Sequence, residues 1–212
     1  MTNYCLYYLP KSNDPLSDVL VIYFGENKVV TNKTTQNGID IYLNNLDIIG
    51  FAIPEFSKTC KIKIFGTIFL PNDKLIDVIN SILDNASLPT LEYKNKSGFT
   101  IGQVDSVEVL ENKMFLYKIN IGTEFIYSES SYVLEKNHKV VVALNGTYIL
   151  PAKMITSYNI KENITSGGRI CNFEDLQINM PKQNMPVLVD EDLNVGRDFF
   201  MMEEKVYAWN WT

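Results

Sequence analysis

A chain of 212 residues, 46% apolar, with 12 Tyr and 11 Phe, is long enough for two packed units of about 100 residues each and too apolar to be disordered. Its net charge of −6 excludes ordinary non-specific polyanion binding unless its cations are sorted onto one face. No apolar run approaches the roughly 20 residues of a membrane-spanning helix, and the opening MTNYCLYYLP lacks the basic-then-apolar profile of a secretory leader, so the chain reads as cytoplasmic with no membrane partner.

From the N-terminus, YCLYYL, DVLVIYF, NKVVTN, GIDIYL and CKIKIFGTIFL are rich in β-branched and aromatic residues and read as strands, with QNG at 36–38 as a hairpin turn. The period then changes. In NDKLIDVINSILDNA the apolar residues Leu75, Ile76, Ile79, Ile82 and Leu83 recur at helical spacing behind a capping Asn72 or Asp73, which predicts an amphipathic helix lying on the preceding sheet. Residues 1–90 are therefore expected to form an α+β N-terminal domain.

The turn-forming run NASLPTLEYKNKSG serves as linker. Beyond it FTIGQVDSVEVL, KMFLYKINIG, EFIYSES, HKVVVALNG and ITSGGRIC are short, closely spaced strand patterns, with a short helix candidate in NFEDLQ, so residues 98–202 predict an all-β barrel. The tail, residues 203–212, holds both Trp and is expected to fold back or meet a partner. Charge is uneven. Residues 1–97 carry nine Lys against ten acids, net −1, while residues 98–212 carry eight Lys and two Arg against fifteen acids, net −5.

Little here carries chemistry. His138 is the sole histidine, Cys5, Cys60 and Cys171 are odd in number and widely spaced, and Gly167-Gly168 lacks the Lys-Ser/Thr of a phosphate loop. The expectation is a non-enzyme without metal or cofactor. Lys113, Lys139, Lys153 and Arg169 form the better candidate cation cluster, since Lys118 points to the opposite strand face from residues 113 and 117. Arg169 reads equally as a surface cation paired with Glu162 or Glu174. Phe115, Tyr117, Phe125 and Tyr127 alternate along two strands, as core residues or as a base-stacking platform.

In order, FTIGQVDSVEVLENKMFLYKINIG, KVVVAL, ITSGGRIC and PVLVDEDLNVGRDFF resemble the EMAPII-like OB-fold tRNA-binding domain, which also occurs in phenylalanyl-tRNA synthetase beta chains; with its N-terminal domain the chain looks like the YtpR family. The resemblance covers residues 99–200. It implies non-catalytic recognition of structured RNA, tRNA above all, through an OB barrel, with Lys113, Lys118, Lys139, Lys153, Ser166, Gly168 and Arg169 at the RNA. The glycine of the Ser-x-Gly turn would admit close approach of a ligand or a positive φ. The sequence also departs from the pattern: SESSYV brings Glu129 toward the RNA side, Glu162 stands where the family has arginine, and Arg169 where it has methionine. These changes imply weakened RNA affinity. The alternative is a degenerate barrel kept for protein contacts or for a homodimer through its acidic face and tail.

Overall fold

The computed structural model describes residues 1, 3–14, 17–61, 65–150 and 152–201, so the tail expected to meet a partner lies outside the described residues. Contacts divide the chain into two units, Met1–Asn95 with Pro151–Lys153, and Lys96–Leu150 with Met154–Thr212.

In the first unit, β1 (Cys5–Leu9), β2 (Val19–Tyr23), β3 (Asn32–Gln36), β4 (Ile39–Asn44), β5 (Asp47–Pro54) and β6 (Gly66–Ile68) form one antiparallel sheet in the order β3-β4-β5-β2-β1-β6. Alternation sorts the residues. Leu6, Leu20, Ile22, Ile41, Phe51 and Ile53 fall on one face because the registers set Leu6 against Ile22, Leu20 against Ile53, and Ile22 and Ile41 against Phe51. The predicted QNG hairpin joins β3 to β4, with Asn37 and Gly38 both at positive φ, 49° and 79°. Helix α1 (Asp73–Asn85) is capped by the Asn72 side chain, which accepts from the Leu75 N–H at 2.9 Å, and adds Leu75, Ile76, Ile79 and Leu83 to the same core.

The α+β expectation for the N-terminal domain is overturned. The chain is mostly β, about 40% strand and 10% helical, and α1 is the single α-helix among the described residues. One 13-residue helix seats one apolar stripe on a six-stranded sheet and builds no helical layer. The NFEDLQ helix is also absent. There the Asn172 and Asp175 side chains each bond the other's backbone N–H, at 2.8 and 3.0 Å, and Gln177 takes φ 59°, so the chain closes a tight turn instead.

The second unit is a nearly closed five-stranded barrel of β7 (Phe99–Val109), β8 (Phe115–Asn120), β9 (Phe125–Ser130), β10 (Lys139–Leu144) and β15 (Gly168–Ile170), in the order β15-β10-β7-β8-β9. Its ladders within that order are antiparallel, and the ends meet where the Gly167 N–H donates to the Tyr127 carbonyl at 2.9 Å. That arrangement is consistent with an OB-like barrel. Between β10 and β15 lie the small pairs β11 (Tyr148–Ile149) with β12 (Lys153–Met154) and β13 (Asn159–Lys161) with β14 (Ile164–Thr165). At the C-terminal end Asp198 clamps the start of β7, accepting from the Ser97 N–H and hydroxyl, both at 2.7 Å.

Val104, Tyr117, Ile119, Ile126, Val140, Val142 and Ile170 fill the barrel, with Leu134 as a plug from the loop after β9. The Tyr117 hydroxyl donates to the Tyr132 carbonyl and accepts from the Leu134 N–H, holding that loop in place. Ser128, opposite Tyr117, is fully buried with no hydrogen-bond partner for its hydroxyl among the described residues. A desolvated, unpaired hydroxyl is a net cost. Ser128→Ala is therefore expected to raise stability by about 1 kcal/mol, read as a higher urea midpoint with an unchanged m-value.

Candidate functional site

The register of β8 and β9 decides which aromatics face outward. Tyr117 and Ile119 point into the barrel, so their neighbours Leu116, Lys118 and Asn120 point out, and across the ladder Glu129, Tyr127 and Phe125 lie opposite them. Three rows cross this outer face: Glu108, Leu116 and Glu129; Ser106, Lys118 and Tyr127; then Asn120 with Phe125. Phe115 and Tyr117, sharing the sequence alternation, are instead inner residues whose rings stand 6.1 Å apart.

Phe125 is 49% exposed, and the Lys118 ammonium lies 4.2 Å over its ring while also 3.3 Å from Asp105 Oδ2. Lys113 is not on the strand. It is the left-handed residue, φ 63°, of the Glu111–Lys113 hairpin loop, closed by the Leu110 N–H on the Met114 carbonyl at 2.8 Å. That position exposes Lys113, whose ammonium has no partner among the described residues. Its neighbour Asn112 donates from Nδ2 to Glu129 Oε1 at 2.8 Å, drawing the loop to the outer face. Lys161 of β13 binds both oxygens of Glu108 at 2.7 Å.

The Ser-x-Gly turn is packed rather than open. Ser166 is buried, its hydroxyl donating to the Gly168 carbonyl at 3.0 Å, its N–H to the Tyr158 carbonyl at 2.8 Å, and its own carbonyl accepting from Asn145 Nδ2 at 2.9 Å. Neither Gly167 nor Gly168 has positive φ. A Cβ on Gly167 would stand 2.7 Å from the Ile126 Cβ, and one on Gly168 2.7 Å from the Ala143 carbonyl oxygen. These glycines let β15 enter the barrel seam, and the positive φ expected at this turn is not found.

Arg169, between Gly168 and Ile170, points outward and donates from Nε to Asp175 Oδ2 at 3.2 Å, so its partner is neither Glu162 nor Glu174. The half-exposed Tyr158 hydroxyl lies close by. Burial and then the Glu129 carboxylate push its pKa up, while Ser166 and the Arg169 guanidinium pull the other way.

Of the residues singled out in the sequence, Lys113, Lys118 and Arg169 border the outer face of β8 and β9, whereas Ser166 and Gly168 hold the seam behind it. Lys139 is elsewhere, its ammonium bound by the Glu191 and Leu193 carbonyls, the latter at 2.7 Å, and it straps that loop to β10. Lys153, on β12, groups with the first unit. His138 sits in a turn with Nδ1 accepting from the Glu135 N–H at 3.2 Å. Sequence reasoning missed Asp105, Asn112, Tyr158 and Asp175. Only Asp175 had a signal, its three-residue spacing from Asn172, which marks a side-chain-closed turn. No helix among the described residues is long and apolar enough to cross a membrane. No family model matches the chain, and no curated protein matches it.

Proposed function

We propose that the barrel unit is a non-catalytic RNA-binding module that stacks unpaired bases on the outer face of β8 and β9, with tRNA as its RNA by resemblance. The observation that carries this reading is the ladder register that sets Lys118, Phe125 and Tyr127 on one outward face. Aromatic rings on that face of an OB-like barrel, flanked by the β7–β8 loop and the long loop before β15, suit sequence-tolerant stacking.

Electrostatics tempers the affinity. Lys118, Lys161 and Arg169 are each held by an acid, Asp105, Glu108 and Asp175, which leaves Lys113 as the unpaired cation of this face among the described residues. Few phosphates are neutralised, so few counterions are released, and the slope of log K against log salt is expected to be only about −1 to −2. Titrating labelled bulk tRNA at two salt concentrations tests this. Phe125→Ala should weaken binding about tenfold through the loss of one stacked base. An unshifted titration at low salt rejects the reading and leaves protein contacts. That second reading is favoured by the outer half of β7, which extends past β10 with Val107 and Val109 exposed on an edge that pairs with no described strand.

A further inference from the structure

Resting on the reading above, we propose that Arg169, held side-on by Asp175, selects guanine among the bases that the outer face receives. The guanidinium spends only Nε on Asp175, and no described residue bonds its two terminal nitrogens. Asp175 is itself fixed. Its carboxylate accepts from the Asn172 N–H at 3.0 Å and its own N–H donates to Asn172 Oδ1 at 2.8 Å, so the carboxylate that orients the guanidinium cannot swing. Asp175 is buried while the Arg169 side chain stays 40% exposed, so the guanidinium is anchored through Nε on a buried carboxylate and remains open to solvent in part.

Two parallel N–H donors at the end of a planar group match two acceptor patterns: a pair of phosphate oxygens, or O6 and N7 of guanine. The surroundings decide between them. Asp175 already balances the Arg169 charge, and Glu129, whose hydrogen bonds come from the neutral Asn112 amide and the Tyr158 hydroxyl, adds a further carboxylate beside Tyr158, whose hydroxyl also feels Arg169. A phosphate brought here meets a net negative field. A neutral base edge does not, and its ring finds Tyr158 and the Tyr127 row for stacking, since β15 lies against β9 at the Gly167 to Tyr127 bond. Asp175 is thus a positioning residue and Arg169 the reader.

The test is fluorescence anisotropy of the full chain with short labelled uridine oligomers carrying one central guanine or one central adenine, at low salt. The guanine oligomer is expected to bind about tenfold more tightly, the discrimination typical of one bidentate contact. Arg169→Lys keeps the charge and loses the fork, so it should bring the two oligomers within about twofold while all-uridine binding stays put. Asp175→Asn should erode the guanine preference in the same way, in protein whose thermal unfolding remains cooperative. Equal binding of guanine and adenine by the wild type, or an Arg169→Lys loss that is uniform across all oligomers, overturns the proposal. If Phe125→Ala weakens all-uridine binding in a protein without guanine preference, the stacking face survives and the base-reading role falls. Failure to bind any oligomer removes both.

Discussion

Gly168→Ala is expected to lose about 2–3 kcal/mol of stability, the range for overpacking a closed core. The added methyl would lie 2.7 Å from the Ala143 carbonyl oxygen and 3.0 Å from Val142 Cγ1, atoms of the β10 backbone and of the barrel interior. Neither retreats without parting β10 from β15, where Val142 faces Ile170 and Ala143 faces Arg169. Gly38→Ala is the comparison. Gly38 has φ 79°, and a methyl added there would meet nothing within 4 Å, so its cost is conformational alone, about 1 kcal/mol. Urea unfolding of the two variants separates the causes. A Gly168→Ala cost no larger than that of Gly38→Ala would mean the seam is loose and the glycine serves something other than packing.

Lys94→Met is expected to stabilise the first unit near neutral pH and to flatten its pH dependence. Lys94 is half-buried, its ammonium donating to the Tyr4 carbonyl at 2.5 Å and standing 4.2 Å over the Tyr4 ring. It makes no ion pair with a described carboxylate, and burial pulls its pKa down to about 8. A lysine whose folded pKa lies below its unfolded value binds its proton more weakly in the fold. The penalty is complete below pH 8 and is relieved as pH climbs from there toward the unfolded lysine value of about 10.4. Stability of the wild type should therefore rise over that window.

Replacing the ammonium with a thioether should gain about 1–2 kcal/mol at pH 7, after the lost carbonyl hydrogen bond is set against the relieved desolvation. Cys5 works in the opposite direction. Burial pushes its thiol from 9.0 up to about 12, so its contribution declines as pH rises past 9. The Lys94 ammonium and the Cys5 thiolate also feel each other, so the comparison of Lys94 with Lys94→Met is made in a Cys5→Ala background, where the difference isolates the lysine. A difference that stays constant from pH 7 to about 10 would refute the assignment.

How much of this was legible beforehand differs by element. The helix over Asp73–Asn85 was written in the spacing of Leu75, Ile76, Ile79 and Leu83 and in its Asn72 cap, and the β3–β4 turn in Gln36-Asn37-Gly38, because both signals are local. The strand runs that make the barrel were equally plain. The class of the first unit differs from the expectation because periodicity identifies a helix without saying how many strands lie beside it; six form the sheet, and five of them line its core.

Residue order by itself fixed the local devices: caps, turns, strand alternation and an acidic barrel half, since each depends on neighbours a few positions apart. Only the tertiary structure decided which alternation faces inward, sending Tyr117 to the core and Phe125 to the surface, because period two defines two faces but leaves register and closure to choose the buried one. Tertiary contacts likewise chose the partners of the cations. Lys118 with Asp105, Lys161 with Glu108 and Lys139 with the Glu191 and Leu193 carbonyls lie 13 to 54 residues apart, and Coulomb attraction follows distance in space rather than in sequence.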